Sequence, residues 1–250
     1  KEFHFLSLGE LRHIDARVSQ EINGGLYIKN SLEVDSYMLS KTFFDNAIQN
    51  GVNFVQKNIN KIDADSGKQV RIFSDDESYN FDKIIISNGS WAEKFFMDFF
   101  GKSMLTPIKG QILRMKNISP GFNVSFWWGK NYITTKDKNI TWLGTTHEDV
   151  GYDESITNDS KNQILQNAKE IFPFLDENFV VEQTACLRPM TKDSLPILGR
   201  LKDFENIFLC GGGSANGILF GPAMGKIISK DIFEEQLDTY INEFSVNRFL

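Results

Sequence analysis

An arginine before a proline and a run of glycines carry the chemistry that this sequence offers. Arg188 precedes Pro189, which pushes the arginine out of helical backbone and into an extended one. Its guanidinium is a planar fork that donates two parallel hydrogen bonds, the shape that a carboxylate accepts. Downstream, the short apolar strand Ile207 to Cys210 runs into Gly211-Gly212-Gly213-Ser214-Ala215-Asn216-Gly217 and then into a helical pattern. A strand, a loop of small residues and a helix N-terminus present N–H groups and partial positive charge to an electron-rich ligand. A fixed cation nearby would hold an acidic substrate against that ligand. Taken alone, the glycine run reads as a tight strand-to-helix turn. A dinucleotide fingerprint needs a second strand ending in an acidic residue about twenty positions on, and here that count lands on Asp231, inside a helix.

The other reactive side chains suggest less. His4, His13 and His147 share no metal-ligand spacing with each other or with carboxylates, so no metal is expected. Cys186 and Cys210 form neither a C-x-x-C pair nor a zinc pattern, which implies a reducing compartment. The formal net charge of −6 and the lack of a basic stripe argue against a nucleic-acid surface. No apolar run is long enough to span a bilayer. The first residues lack a signal peptide's apolar region and cleavage site, so a cytoplasmic location is expected.

The elements that must position these residues fall into two kinds. Leu8, Leu11 and Ile14 keep helical spacing, and Gly24 to Ile28 reads as a strand entered through a glycine turn. A helix is expected from Tyr37 to Asn50, capped by Asp35 or Ser36, with Leu39, Phe43, Phe44, Ala47 and Ile48 as its apolar stripe. Gly51 ends it, and Val52 to Val55 reads as the next strand. A meander follows, with turns at Asp65-Ser66-Gly67 and Asp75-Asp76. Lys83 to Ser87 is a nearly uninterrupted apolar stretch and reads as a strand buried on both faces, as in a parallel sheet. The stretches Ile108 to Met115, Asn123 to Trp128, Tyr132 to Thr135 and Ile140 to Gly144 alternate like antiparallel strands. A helix from Asp159 to Phe172 and a strand from Phe179 to Leu187 complete that block. Parallel-type pieces thus bracket an antiparallel one, as in two domains whose chain crosses between them.

Six pieces in this order resemble the D-amino-acid oxidase superfamily of flavoproteins, the glycine oxidase and sarcosine oxidase branch in particular. They are Gly24-Gly25-Leu26-Tyr27 with Val34-Asp35, Phe81 to Trp91, Pro107-Ile108-Lys109-Gly110-Gln111, Leu143-Gly144-Thr145-Thr146 with Glu148 to Gly151, Leu187 to Thr191 with Leu195 to Gly199, and Asn216-Gly217-Ile218-Leu219. The resemblance implies a mixed α/β (α+β) fold, in which an incomplete FAD-binding Rossmann-like domain is interleaved with an antiparallel-sheet substrate domain. Residues 1–34 and 104–190 would form the substrate domain; residues 35–103 and 191–250 would be the remaining part of the FAD-binding domain. The family opens with a strand, a G-x-G-x-x-G loop and a helix for the FAD pyrophosphate. That unit does not occur in this sequence, so a truncated chain or a natural remnant is expected. The glycine oxidase pattern also has an arginine where this chain has Ala215.

By the same resemblance, Arg188 and Tyr132 would bind the substrate carboxylate. Ile59 would meet the adenine through its backbone, and Asn88, Gly89 and Ser90 would flank the nucleotide. Lys109 and Gly110 would stand beside the flavin ring, with an exposed strand-end lysine as the other reading of Lys109. Gly212, Ala215, Asn216, Gly217, Ile218 and Leu219 would face the ring. Trp127 and Trp128 must point to opposite faces of their strand, so at least one is packing. Cys186 falls where sarcosine oxidases attach flavin covalently, whereas the glycine oxidase branch has a small residue there. The implied activity is FAD-dependent oxidation of a small amine or amino acid, the flavin performing the chemistry and the protein orienting substrate. A 2-hydroxy-acid oxidase, a non-catalytic binding remnant and a tRNA-modifying relative are the alternatives. The expected partners are a small carboxylate substrate and a homo-oligomer or a missing N-terminal segment.

Overall fold

A computed structural model describes residues 2–64, 69–75, 77–137, 140–201, 203–237 and 239–250. The expected turn at Asp65-Ser66-Gly67 lies outside the described residues, as does Asp76 of the next one. In chain order the elements are β1 (Phe3–Ser7), α1 (Leu8–Ile14), β2 (Gly24–Ile28), α2 (Ser36–Gln49), β3 (Lys61–Asp63), β4 (Val70–Ser74), β5 (Glu77–Phe81), β6 (Ile84–Ile86), α3 (Glu93–Phe100), β7 (Leu105–Met115), β8 (Phe126–Trp128), β9 (Asn131–Asp137), β10 (Ile140–Gly144), α4 (Asn158–Ile171), β11 (Val180–Thr191), β12 (Ile197–Arg200), β13 (Ile207–Gly211) and α5 (Gly217–Ile232). They form two compact units. The first comprises Lys1–Asp45, Lys109–Glu148 and Asp153–Cys186, and the second Asn46–Ile108, Asp149–Tyr152 and Leu187–Leu250. β7 enters the first unit at Lys109, and β11 leaves it after Cys186.

The first unit is built on a five-stranded sheet in the order β11-β7-β10-β9-β8. The pairs of β10 with β7 and β9, and of β8 with β9, are antiparallel, as strand alternation predicts. Leu113, Met115, Ile133 and Leu143 project from these strands onto Ile164, Leu165 and Ala168 of α4. Burying four such side chains stabilises the unit by roughly 6–12 kcal/mol before chain entropy is charged against it. Thr157 caps α4 by accepting the Ser160 backbone N–H at 3.2 Å. A separate antiparallel pair, β1 with β2, carries α1. There Ser7 and Glu10 close a capping box, the Glu10 carboxylate accepting from the Ser7 N–H at 2.8 Å.

The second unit holds the sheet β12-β13-β6, with β13 parallel to β6 and antiparallel to β12. The meander β3-β4-β5 forms its own sheet. Its core gathers Val70, Ile86, Phe95, Phe96, Ile197, Ile207 and Leu209. Two expectations fail here. Residues 51–60 form no strand, although Val52 to Val55 has strand composition, and Val52, Phe54 and Val55 are 55%, 62% and 62% exposed. A strand is defined by its ladder to a neighbour, so composition alone does not make one. The strand expected from Lys83 to Ser87 is likewise not buried on both faces: among the described residues β6 ends its sheet, and Ile85 is 47% exposed. Among the described residues no helix is long and apolar enough to cross a membrane.

Candidate active site

In the second unit β13 ends at Gly211, and Gly212 turns the chain with φ +70°, a region open to glycine at little cost. A Cβ on Gly212 would lie 2.8 Å from Thr191 Cγ2, and one on Gly213 would lie 2.7 Å from Gly217 Cα. The loop is therefore pressed against the end of β11 on one side and the start of α5 on the other. An antiparallel bridge joins Met190 to Gly213. Arg188 stands two residues back along the same strand, about 7 Å away and on the same face as Met190. The strand that carries the arginine is thus fastened to the glycine loop. Beyond the loop, Ser214–Asn216 makes one 3-10 turn and leads into α5, whose first N–H groups receive no side-chain cap from Asn216. Ala215 and Asn216 are exposed, as are Ile218 and Leu219, so an open apolar step lies beside the uncapped end.

Asn88, Gly89 and Ser90 follow β6 directly. Gly89 has φ +62° and starts a 3-10 turn through Ala92. Ser90 is fully buried; its carbonyl accepts the Tyr152 hydroxyl at 3.0 Å, while its own hydroxyl has no hydrogen-bond partner. Ile59 packs against the apolar core of this unit. The loop after β11 is latched from the C-terminal end: Arg248 Nε and Nη2 donate to Asp193 at 2.6 and 3.1 Å, and Nη2 also donates to the Leu195 carbonyl. The Arg248 hydrogen bond holds the Asp193 carboxyl down at about 2.

In the first unit Tyr132 of β9 faces Trp127 of β8 across the ladder, their rings stacked at 4.9 Å and 28°. Gly144 sits opposite Tyr132 on the other side, and a Cβ there would come within 2.9 Å of the tyrosine ring and of Ile112. Any larger residue at this position would force the ring or Ile112 to shift. Trp127 is 64% exposed, whereas Trp128 packs into the core, so the two tryptophans separate as alternation requires.

Lys109 is not an exposed strand-end lysine. It is 1% exposed, and its ammonium donates to Asp153 Oδ2 at 2.9 Å and to the Ser155 carbonyl at 3.1 Å, with Glu148 Oε2 at 3.4 Å. The Asp153 hydrogen bond raises the Lys109 pKa, and the same bond holds Asp153 well below the usual carboxylate range. Gly110 beside it is buried as well. Sequence reasoning missed the hub next to this pair. Glu148 accepts from Gln111 Nε2 at 2.9 Å, from the Ser160 hydroxyl at 3.2 Å and from the Thr146 hydroxyl. Burial works against its charge, yet these hydrogen bonds and Lys109 keep its pKa lowered. Gln111 is fully buried and satisfied at both ends, its carbonyl accepting from the Thr157 N–H and from Gln183. The one local signal is that β7 carries Lys109 and Gln111 among its apolar residues, and both are buried.

The arrangement has the fold of a glycine oxidase. The solved structure of the Geobacillus kaustophilus enzyme matches with a TM-score of 0.93 at 21% identity, over 100% of this chain and 68% of that one. A family model described as FAD dependent oxidoreductase (DAO) matches residues 1–230, and the chain belongs to that family. Among curated relatives, the hydrogen cyanide synthase subunit HcnC of Pseudomonas protegens is 28% identical over 99% of this chain and 60% of its own length. Glycine oxidase of Bacillus subtilis is 24% identical over 92% of this chain and 63% of its own. The chain spans about three-fifths of the curated relatives it matches.

FAD is the family's cofactor. The residues present fit its ring end: a loop that opens on three glycines, an uncapped helix start and the exposed apolar step at Ile218 and Leu219. The buried, unpartnered Ser90 hydroxyl lies in the stretch expected to flank the nucleotide. No G-x-G-x-x-G pattern for the pyrophosphate occurs in the sequence.

Proposed function

We propose that this chain supplies the substrate wall and the ring-facing loop of an FAD-dependent oxidase of small amines or amino acids. The observation that carries the reading is the Met190–Gly213 bridge, which fastens the Arg188 strand to a glycine loop shaped by missing side chains. FAD, when bound, supplies the acceptor for a hydride leaving the substrate carbon. The protein's share is orientation. Arg188 binds the substrate carboxylate with its guanidinium fork, and the Tyr132 hydroxyl adds a second donor. Gly212, Ala215, Asn216, Gly217, Ile218 and Leu219 border the ring, with positive helix-end potential directed toward it.

In the same proposal Ile59, Asn88, Gly89 and Ser90 belong to the nucleotide side. Lys109 and Gly110 flank the ring from β7, the engaged ammonium of Lys109 acting through the strand it anchors. Residues 1–34 and 104–190 take the substrate role, and residues 35–103 and 191–250 the FAD role. The relatives, a glycine oxidase and a hydrogen cyanide synthase subunit, support a small amino acid. Ala215 favours a second reading, because with one arginine a 2-hydroxy acid is held as well as an amino acid. The test is to titrate the protein with FAD, then add glycine, N-methylglycine or glycolate under nitrogen. A yellow protein that bleaches with one of them supports the proposal and selects the substrate class. A protein that stays colourless with FAD removes it and leaves a non-catalytic binding module.

A further inference from the structure

In the second unit a short turn, residues 192–196, joins the end of β11 to the start of β12, and both sides of it meet the glycine loop. Met190 bridges Gly213, and Ile197 pairs with Gly211. Thr191 closes on Gly212, where a Cβ would lie 2.8 Å from its Cγ2. Three consecutive glycines thus each lean on a residue beside the turn. A loop that has no side chains of its own at these positions takes its shape from what frames it. The turn is that frame.

The turn carries strain. Its Ser194 adopts φ +61°, which is costly for a residue with a Cβ and persists only where the surroundings over-determine it. Arg248 supplies that surplus. Its Nε and Nη2 hold the two oxygens of Asp193, and Nη2 also donates to the Leu195 carbonyl at 2.8 Å. The same carbonyl accepts the buried Thr191 hydroxyl, also at 2.8 Å. One guanidinium therefore reaches the residue packed on Gly212 through a single shared acceptor. The guanidinium is itself fixed, since Nη1 donates to the Phe244 and Ser245 carbonyls at 2.8 and 3.1 Å, which gives each of its N–H groups an acceptor. Its segment is anchored by Val246, 1% exposed in the core with Ile197 and Leu209, and by Phe244, which packs on Leu198, Met224 and Ile228. Arg248 lies beyond the stretch that the family model matches, residues 1–230, so the family pattern gives it no role.

The geometry points to Arg248 as a positioning residue. It holds the turn, and through Met190, Thr191 and Ile197 it holds the glycine loop in the shape that receives the flavin ring. Arg188, two residues before Met190, belongs to the same strand end. The role toward flavin rests on the proposed reading of the loop as ring-facing; the hold on the loop does not. Loss of the guanidinium therefore loosens the loop and weakens FAD in a chain that is still folded. An arginine that served stability alone would leave a folded variant's affinity for FAD as it was.

The test compares the unaltered protein with Arg248→Met and Arg248→Lys, each first checked by circular dichroism near neutral pH. Amide hydrogen exchange is followed residue by residue without flavin, and FAD binding by quenching of flavin fluorescence. The reporters are Leu195, whose N–H donates to Asp193 at 3.0 Å, and Asn216, whose N–H donates to the Gly213 carbonyl at 3.0 Å. In Arg248→Met both should exchange about tenfold faster, while the amides of β10 in the first unit keep their rates. The FAD dissociation constant should rise about tenfold, and Arg248→Lys, with a charge but no fork, should fall between. Unchanged exchange at Asn216, or faster exchange with unchanged FAD affinity, overturns the inference. If Arg248→Met does not fold, Arg248→Lys carries both measurements with an expected change of about threefold. An unaltered chain that binds no FAD removes the oxidase reading instead. Exchange at Asn216 then decides the hold on the loop by itself: faster in the variants supports it, and unchanged overturns it.

Discussion

The glycine loop of the second unit and the glutamate hub of the first unit shape a site by opposite means. At Gly212 and Gly213 the structure depends on atoms that are absent, since any Cβ would collide with Thr191 or Gly217. At Glu148 it depends on charge that is present and matched, with donors from Thr146, Gln111 and Ser160 and the Lys109 ammonium nearby. A loop that approaches a ligand with its backbone gains from close approach and loses from bulk. A polar hub gains from low dielectric only while every member has its partner. The first region tolerates no addition, and the second no subtraction.

That contrast can be broken by substitution. The largest effect is expected at Arg188, the one charged group that the proposal gives to the substrate. Arg188→Met should lower kcat/KM for a carboxylate substrate about a hundredfold, the worth of a paired charged hydrogen bond. Arg188→Lys should recover only part of this, because a point charge lacks the fork. Steady-state assays on the reconstituted oxidase read both, and an unchanged kcat/KM would remove Arg188 from the site.

Gly212→Ala should cost about 1–3 kcal/mol of unfolding free energy, from the positive φ and the Thr191 contact together. Glu148→Gln should cost about 2 kcal/mol, because one acceptor oxygen is replaced by a donor facing other donors. Denaturant unfolding measures each loss. If Glu148→Gln proved silent while Gly212→Ala did not, the hub would be an ornament of the fold and the contrast would fail.

The smallest effect sharpens a different point. Asp193 is held at about 2 by Arg248, below its ordinary value of 3.8. A depressed carboxyl contributes stability that is present above the unfolded value and lost as pH falls through the folded one, so the loss falls between about pH 4 and pH 2. Because the pair is partly open to water, the contribution is at most about 1 kcal/mol. Arg248→Met should flatten the stability profile in that acid window and leave its shape near neutrality unchanged. A profile that keeps its slope there would show the latch to be inert.

Much of this could be read from single stretches of chain. Pro189 after Arg188 forces extension, and β11 carries the arginine in extended backbone. The alternation of Trp127 and Trp128 predicts one packed and one exposed ring, and the ladder with Tyr132 delivers that. Lys109 could not be read so, because its carboxylate partners Glu148 and Asp153 lie 39 and 44 residues away along the chain, and whether a lysine snorkels or is buried depends on what meets it. Val52 to Val55 failed in the opposite sense. Its local composition signals burial, but burial is a property of a pair of surfaces, and a short stretch specifies only one of them.

The sequence by itself therefore determined the local backbone: where it must extend, where it must turn through glycine, and which helices begin on a capping residue. These follow from sterics and short-range hydrogen bonds, which act within a few residues. Only the tertiary structure decided that Lys109 is enclosed by carboxylates, that Met190 bridges Gly213, and that, among the described residues, β6 and β8 end their sheets. Each of those depends on segments far apart in the chain meeting, or failing to meet, in space.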